Sequence, residues 1–211
     1  LHWARCAMFS EESLASIVKV QISEVFLAFY IIGLTGRNAA GKGTVANLLK
    51  ERSFEYHSLS DMLRSELRKR GVEESRDELI KIGNELRSSG GSGILADLMI
   101  ENLSTSANHI VDSIRNPSEA DSLNRKYSNH KFYLIAVDAD PEIRFQRLKT
   151  RGRIGDSSTW EQFLHQEALE ESDDPSKQQL LLTMKKADFS LDNSGTIEQL
   201  ANQIDKIFEG L

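Results

Sequence analysis

Cysteine, proline and aromatic residues are scarce in this 211-residue chain: one cysteine, three prolines and 7% Phe, Trp and Tyr. Cys6 alone cannot build an internal disulfide framework or a cysteine-rich zinc site, which suits a reducing, cytoplasmic setting. The zinc-deaminase signature, His-x-Glu followed by Cys-x-x-Cys, is absent, so that chemistry is excluded. No apolar run is long enough to cross a bilayer: Val25 to Leu34 is too short, and Lys19, Gln21 and Glu24 interrupt anything longer upstream. The first residues do not read as a signal peptide, because Glu11 and Glu12 precede the apolar portion and no clean cleavage site follows. Positive charge is also in deficit. A net charge of -6 and a pI near 5.5 argue against broad attraction to nucleic acid, although a local basic cluster can still bind phosphate. The expected partner is a small molecule, with neither nucleic acid nor membrane, and the expected state a monomer or weak dimer.

What is present begins with Gly36-Arg37-Asn38-Ala39-Ala40-Gly41-Lys42-Gly43-Thr44. This run follows the apolar stretch Phe29 to Leu34 and opens onto the helix-like Val45 to Leu49. Glycines at 36 and 41 let the backbone curl so that successive N–H groups point inward, and a helix N-terminus adds positive potential. Lys42 supplies a mobile charge for the outer phosphates. Strand before, helix after and a hydroxyl at Thr44 make this a phosphate-binding (Walker A) loop rather than an ordinary glycine-rich turn. It departs from the strict pattern at Gly43, where Ser or Thr would help hold magnesium; here the hydroxyl comes one residue later.

A hydrophobic content of 39% over this length fits one domain with a substantial core. We expect a poorly structured or helical extension over residues 1–27 and one domain over 28–211. Apolar runs alternate with amphipathic stretches as in a parallel α/β sheet. The expected strands are Tyr30 to Leu34, Glu55 to Leu59, His109 to Ser113, Phe132 to Val137 and Asp188 to Leu191. Pro117 and Pro141 fall just past strands at helix starts. Ser88 to Gly93 reads as a hinge at an acceptor site. Ile197, Leu200, Ile204, Ile207 and Phe208 have helical periodicity and should cover the sheet. The acidic residues Glu170, Glu171, Asp173 and Asp174 show no calcium-loop spacing and read as solvated surface. Trp160 and Phe163 read as packing residues.

Further segments carry a resemblance. Ser60-Asp61-Met62-Leu63-Arg64 resembles the acceptor-helix start of adenylate kinase, and Gly93 to Ile100 its following substrate-side helix. Ile110-Val111-Asp112-Ser113-Ile114-Arg115 resembles the strand that carries an acidic residue and a phosphate-binding arginine, and Arg144 to Arg153 the helix entering the lid. The matches keep kinase order over roughly residues 29 to 209. The Arg151-Gly152-Arg153 segment, the Asp156 turn and the Ala187-Asp188 strand are closer still to an archaeal kinase-like family related to adenylate and dephospho-coenzyme A kinases.

That resemblance implies a three-layer P-loop kinase fold, with a central parallel sheet of about five strands in the order 2-3-1-4-5. It adds a helical acceptor-binding region over about 59–103 and a short lid over about 151–160. It implies ATP and Mg²⁺, with transfer of the γ-phosphoryl group to a nucleoside monophosphate or similar phosphorylated molecule. Gly36 to Thr44 would bind the nucleotide and Lys42 would stabilise the migrating group. Thr44 and Asp112 would organise magnesium, and Asp61, Arg64 and Arg115 would serve the acceptor. Arg147, Arg151 and Arg153 would clamp charge from the lid. Read from residues alone, Asp112 can also be a turn cap, Arg115 a partner of Glu119 at helical spacing, and Arg64 a solvated helix arginine. Kinases of this type place a further arginine on the lid's returning helix, whereas Phe163 to Glu167 has none. That gap and Gly43 keep two alternatives open: an ATP-binding regulatory module with weak or no transfer, and a dephospho-coenzyme A kinase-like enzyme.

Overall fold

The computed structural model describes residues 29–104, 106–127, 131–152 and 155–211. The expected extension over 1–27 and Arg153 lie outside them. Within them, five parallel strands form one sheet in the order β2-β3-β1-β4-β5: β1 (Tyr30–Thr35), β2 (Phe54–Ser58), β3 (Asn108–Ile114), β4 (Lys131–Asp138) and β5 (Phe189–Asp192). The helices are α1 (Lys42–Lys50), α2 (Leu59–Lys69), α3 (Arg76–Gly90), α4 (Ile94–Ile100), α5 (Pro117–Lys126), α6 (Pro141–Arg151), α7 (Trp160–Leu169), α8 (Leu180–Lys185) and α9 (Ile197–Glu209). None is long and apolar enough to cross a membrane.

Strand alternation divides the core between two faces. Ile31, Val111 and Leu134 face α2 to α5, packing on Leu59, Leu63, Leu95 and Leu123. Ile32, Leu34, Ile110 and Val137 face α1 and α9, packing on Val45, Leu49, Leu200 and Ile204. Helices α2 to α4, the expected acceptor region, thus share the main core rather than forming a separate body. Pro117 and Pro141 open α5 and α6, where the missing N–H costs nothing. Asn116 and Glu119 close a capping box at the start of α5.

Three expectations shift. Leu59 opens α2 instead of closing β2, because the extended backbone ends at Ser58. Ile197 is 53% exposed at the first turn of α9, and the apolar stripe that covers the sheet begins at Leu200. Ser88 to Gly93 makes no hinge at the cleft. The helix continues to Gly90 and breaks at Gly91, with φ +95°, and Gly93 then packs so closely on α5 that a Cβ there would lie 2.6 Å from Ser122 Oγ.

The sheet's geometry fixes where a ligand can sit. Strand β1 is central, with β3 on one side and β4 on the other, so connections leaving its C-terminal edge diverge to opposite sides. The resulting crevice is where open α/β sheets bind ligands.

Candidate nucleotide and acceptor site

The turn from β1 into α1 fills that crevice. Gly36 and Gly41 adopt φ +136° and +103°, and Ala39 also lies in the left-handed region at +58°. Both glycines are sterically required: a Cβ on Gly36 would lie 2.0 Å from Val137 O, and one on Gly41 1.8 Å from Asn193 Nδ2. No side chain caps α1, whose first N–H groups therefore remain directed at the crevice. Lys42 Nζ folds back over the loop, donating to Gly36 O at 2.6 Å and Arg37 O at 3.0 Å. Burial, and secondarily the Arg115 guanidinium, lower its pKa to about 7, while Asp112 acts in the opposite sense.

The cleft above the loop has a volume of about 1020 Å³. That is at the upper end of small-ligand sites. Asn38, Ala39, Gly41, Lys42, Gly43 and Thr44 line its floor; Gly36, Arg37 and Ala40 do not. Gly36 lies beneath Lys42, Ala40 is buried, and Arg37 turns away toward Asp138 and Glu167.

Strand β3 delivers Asp112 and Arg115. Ser113 between them has φ +69°, and the β1–β3 register shifts at the same level. This departure from regular strand places both flanking residues on the cleft wall. Asp112 Oδ2 accepts from the Tyr56 hydroxyl at 2.8 Å, and burial with this carboxylate raises the tyrosine's pKa. Arg115 does not pair with Glu119 through its side chain. Glu119 Oε2 accepts from the backbone N–H of Arg115 at 2.8 Å, and its Oε1 is taken by Arg87. The Arg115 guanidinium instead donates to Glu170 Oε2 at 2.6 Å. Burial pulls its pKa down to about 10, against the upward pull of Asp112.

Glu170 overturns the solvated-surface expectation. It is 2% exposed, and its other oxygen accepts from Arg76. Arg76, in the first turn of α3, also lines the cleft, and no motif marked it. Burial, then repulsion from Arg115, Arg151 and Arg64, drives its pKa well below the usual guanidinium value. Two arginines thus share one carboxylate.

At the α2 end Arg64 lines the cleft, held by Asp61 at 2.7 Å and Glu74 at 2.8 Å. Asp61 positions Arg64 and does not itself line the cleft. At the α6 end Arg147 donates to Asn193 O at 2.7 Å, and Asn193 Nδ2 donates to Ala40 O at 2.8 Å, tying the loop, α6 and the segment after β5 together. Arg151 pairs with Asp156 and reaches Asn38 Oδ1 at 3.4 Å. Trp160 and Phe163 pack on Phe145 with ring centroids 5.3 and 5.7 Å away, fixing α7 against α6. His165 is exposed on α7.

Thr44 and Asp112 line the same cleft and offer only oxygen donors, a set that fits a hard cation such as magnesium. Exposed Gly43 contributes no ligand atom.

Residues 32–180 match the family described as AAA domain. A UPF0200 protein of Methanocaldococcus jannaschii is 32% identical over 184 residues, covering 85% of this chain and 89% of that protein. A UPF0200 protein of Pyrococcus horikoshii is 29% identical over 185 residues, covering 84% and 95%. Among solved structures, shikimate kinase from Bacteroides thetaiotaomicron shares the fold with a TM-score of 0.56 at 15% identity, covering 85% of this chain and 98% of that one. A gluconokinase from Sinorhizobium meliloti does so with a TM-score of 0.53 at 13% identity, covering 88% and 97%. With its phosphate loop at the switch point of a 2-3-1-4-5 sheet, the chain belongs to the AAA domain family, as a P-loop kinase-like relative of the archaeal UPF0200 proteins.

Proposed function

We propose that the chain transfers the γ-phosphoryl group of ATP to a small acceptor that itself carries phosphate, a nucleoside monophosphate in the first instance. The observation that carries this reading is the charge on the cleft. Lys42, Arg64, Arg76, Arg115, Arg147 and Arg151 converge on it, with Asp112 and Glu142 the carboxylates among its lining, although the whole chain is acidic. Asp61, Glu74, Asp156 and Glu170 pair with Arg64, Arg151, Arg76 and Arg115, so what recommends the cleft for phosphate is the convergence of charged donors on one space beside a helix N-terminus. One triphosphate on the loop accounts for Lys42 and the helix N-terminus. Arg76 and Arg115 share Glu170 as their ion-pair partner, with Asp156 and Asp112 acting on them through space, an arrangement that favours a second anion beside them.

In this reading the loop N–H groups and Lys42 hold the donor phosphates, and Arg147 and Arg151 close over them from the lid. Arg64, Arg76 and Arg115 orient the acceptor's phosphate so that one of its oxygens lies in line with the γ-phosphorus. The new P–O bond forms as the bond to the ADP oxygen breaks, and an ionised phosphate oxygen needs no general base. Magnesium, held through Thr44, Asp112 and water, would neutralise charge between the β- and γ-phosphates. Arg76 also supplies, from α3, the positive charge that the returning helix α7 lacks.

The test is a panel of nucleoside monophosphates, dephospho-coenzyme A, shikimate and gluconate, incubated with Mg²⁺ and ATP. The last two enter because two similar folds are a shikimate kinase and a gluconokinase. Transfer to a phosphorylated acceptor, lost in Lys42→Ala, is the expected result. Transfer only to the non-phosphorylated acids contradicts it. ATP binding without transfer to any acceptor favours the regulatory-module reading, for which the missing hydroxyl at Gly43 is the specific support.

A further inference from the structure

A cluster outside the cleft has no part in phosphoryl transfer. Edge strand β2 runs parallel to β3, with Glu55 opposite His109 and His57 two residues farther along. Period-two alternation puts all three on the sheet face opposite the one that bears Tyr56. Their ligand atoms lie within 4.8 Å of one another. His57 Nε2 is 3.1 Å from His109 Nδ1, and Glu55 Oε2 is 3.6 Å from that same nitrogen.

The hydrogen bonding around His109 orients its ring. Its Nε2 lies 2.9 Å from Ser104 O, a carbonyl that can only accept, and 3.3 Å from Ser104 Oγ, so donation from Nε2 to the carbonyl leaves Nδ1 as the nitrogen facing the cluster. That nitrogen is directed at His57 and Glu55. A backbone carbonyl fixing the remote ring nitrogen is also the outer-shell partner that metal-bound histidines use. His109 is fully buried with its ring edge-on to Phe29 at 6.2 Å, so its orientation is set before any ligand arrives. Glu55 is 57% exposed at the sheet edge and free to swing inward.

We propose that Glu55, His57 and His109 form a binding site for a zinc-type divalent transition metal ion. In a tetrahedral zinc site, ligand atoms about 2.0–2.1 Å from the metal stand about 3.3 Å apart, close to the 3.1 and 3.6 Å already present at His109 Nδ1, with the third pair within 4.8 Å. Two imidazoles and one carboxylate leave a fourth position for water on the solvent side. The ion replaces the proton shared between the two histidines and joins the edge strand to its neighbour through side chains as well as backbone. Because none of its three residues lines the phosphate cleft, its occupancy can be read separately from nucleotide binding.

The test is Zn²⁺ binding to the full, chelator-stripped chain by isothermal titration calorimetry, with Co²⁺ visible absorption reporting coordination and thermal melting reporting stability. Glu55→Gln and His57→Gln are compared with wild type and with His165→Gln, which alters an exposed histidine elsewhere. The expected result is one Zn²⁺ per chain and a raised melting temperature. Affinity should fall about tenfold or more in both site variants and stay unchanged in His165→Gln. Glu55 is exposed, so its variant reports even if His57→Gln fails to fold. No binding at micromolar Zn²⁺, or wild-type affinity in Glu55→Gln, overturns the proposal.

Discussion

Two buried arginine–glutamate systems lie near each other and differ in their arithmetic of charge. In Arg87–Glu119, with side chains 1% and 0% exposed, one cation meets one carboxylate. Glu119 also accepts from the backbone N–H groups of Arg115 and Asn116, so both its oxygens are used. In Arg76–Glu170–Arg115, at 15%, 3% and 7%, two cations meet one carboxylate and both line the cleft. Each system leaves one buried guanidinium nitrogen without a partner, Arg87 Nη1 and Arg76 Nε, but the ratio of cations to carboxylates differs. The balanced pair is sealed in the core, whereas the unbalanced one lines the cleft, where the proposed function has an anion bind.

Substitutions test that distinction, the largest effect being expected at the balanced pair. Glu119→Gln strands the Arg87 charge in the interior and should cost about 3–5 kcal/mol in urea unfolding. Added phosphate should not restore it. Arg115→Met should lower kcat/KM for phosphoryl transfer about 10²–10³-fold, the scale of losing one preorganised electrostatic donor. Its unfolding free energy should be unchanged or higher, because removing one of two crowded cations relieves repulsion. A large stability loss in that variant would erase the contrast between the two systems.

Glu170→Gln should lie between these, losing about 1–3 kcal/mol, because the two cations it strands line the open cleft, where water reaches them, rather than the closed core that holds Arg87. Inorganic phosphate or ATP should recover stability by binding the folded state. Rescue here and none in Glu119→Gln is the sharpest form of the comparison. The smallest effect concerns pH. Bound phosphates should raise the Lys42 pKa from about 7 in the free protein. Proton uptake then accompanies ATP binding above pH 7. Affinity should weaken by at most about tenfold per pH unit as pH rises toward the pKa of the complex. Calorimetry in buffers of different ionisation enthalpy measures the uptake, and zero uptake at pH 8 contradicts the assigned state.

The structural features set by local sequence are the ones the sequence makes legible. Gly36 to Thr44 carry their own turn requirements, the apolar runs located all five strands, and Pro117 and Pro141 marked helix starts. The strand order followed from the resemblance. Glu170 was misread because an acidic run looks solvated unless its partners are known, and those partners lie 94 and 55 positions away. Arg76 belongs to no motif, and its placement depends on how α3 docks. The histidine cluster needed the β2–β3 register, since only that pairing brings Glu55 beside His109.

The central claim is that the loop and its surrounding cations grip a polyphosphate. Isothermal titration of ATP with Mg²⁺ into wild type and Lys42→Ala tests it most directly. The account predicts one site per chain in wild type and loss of most of that affinity in the variant, with the fold intact by circular dichroism. Absence of ATP binding in wild type, or equal affinity in both proteins, would contradict it.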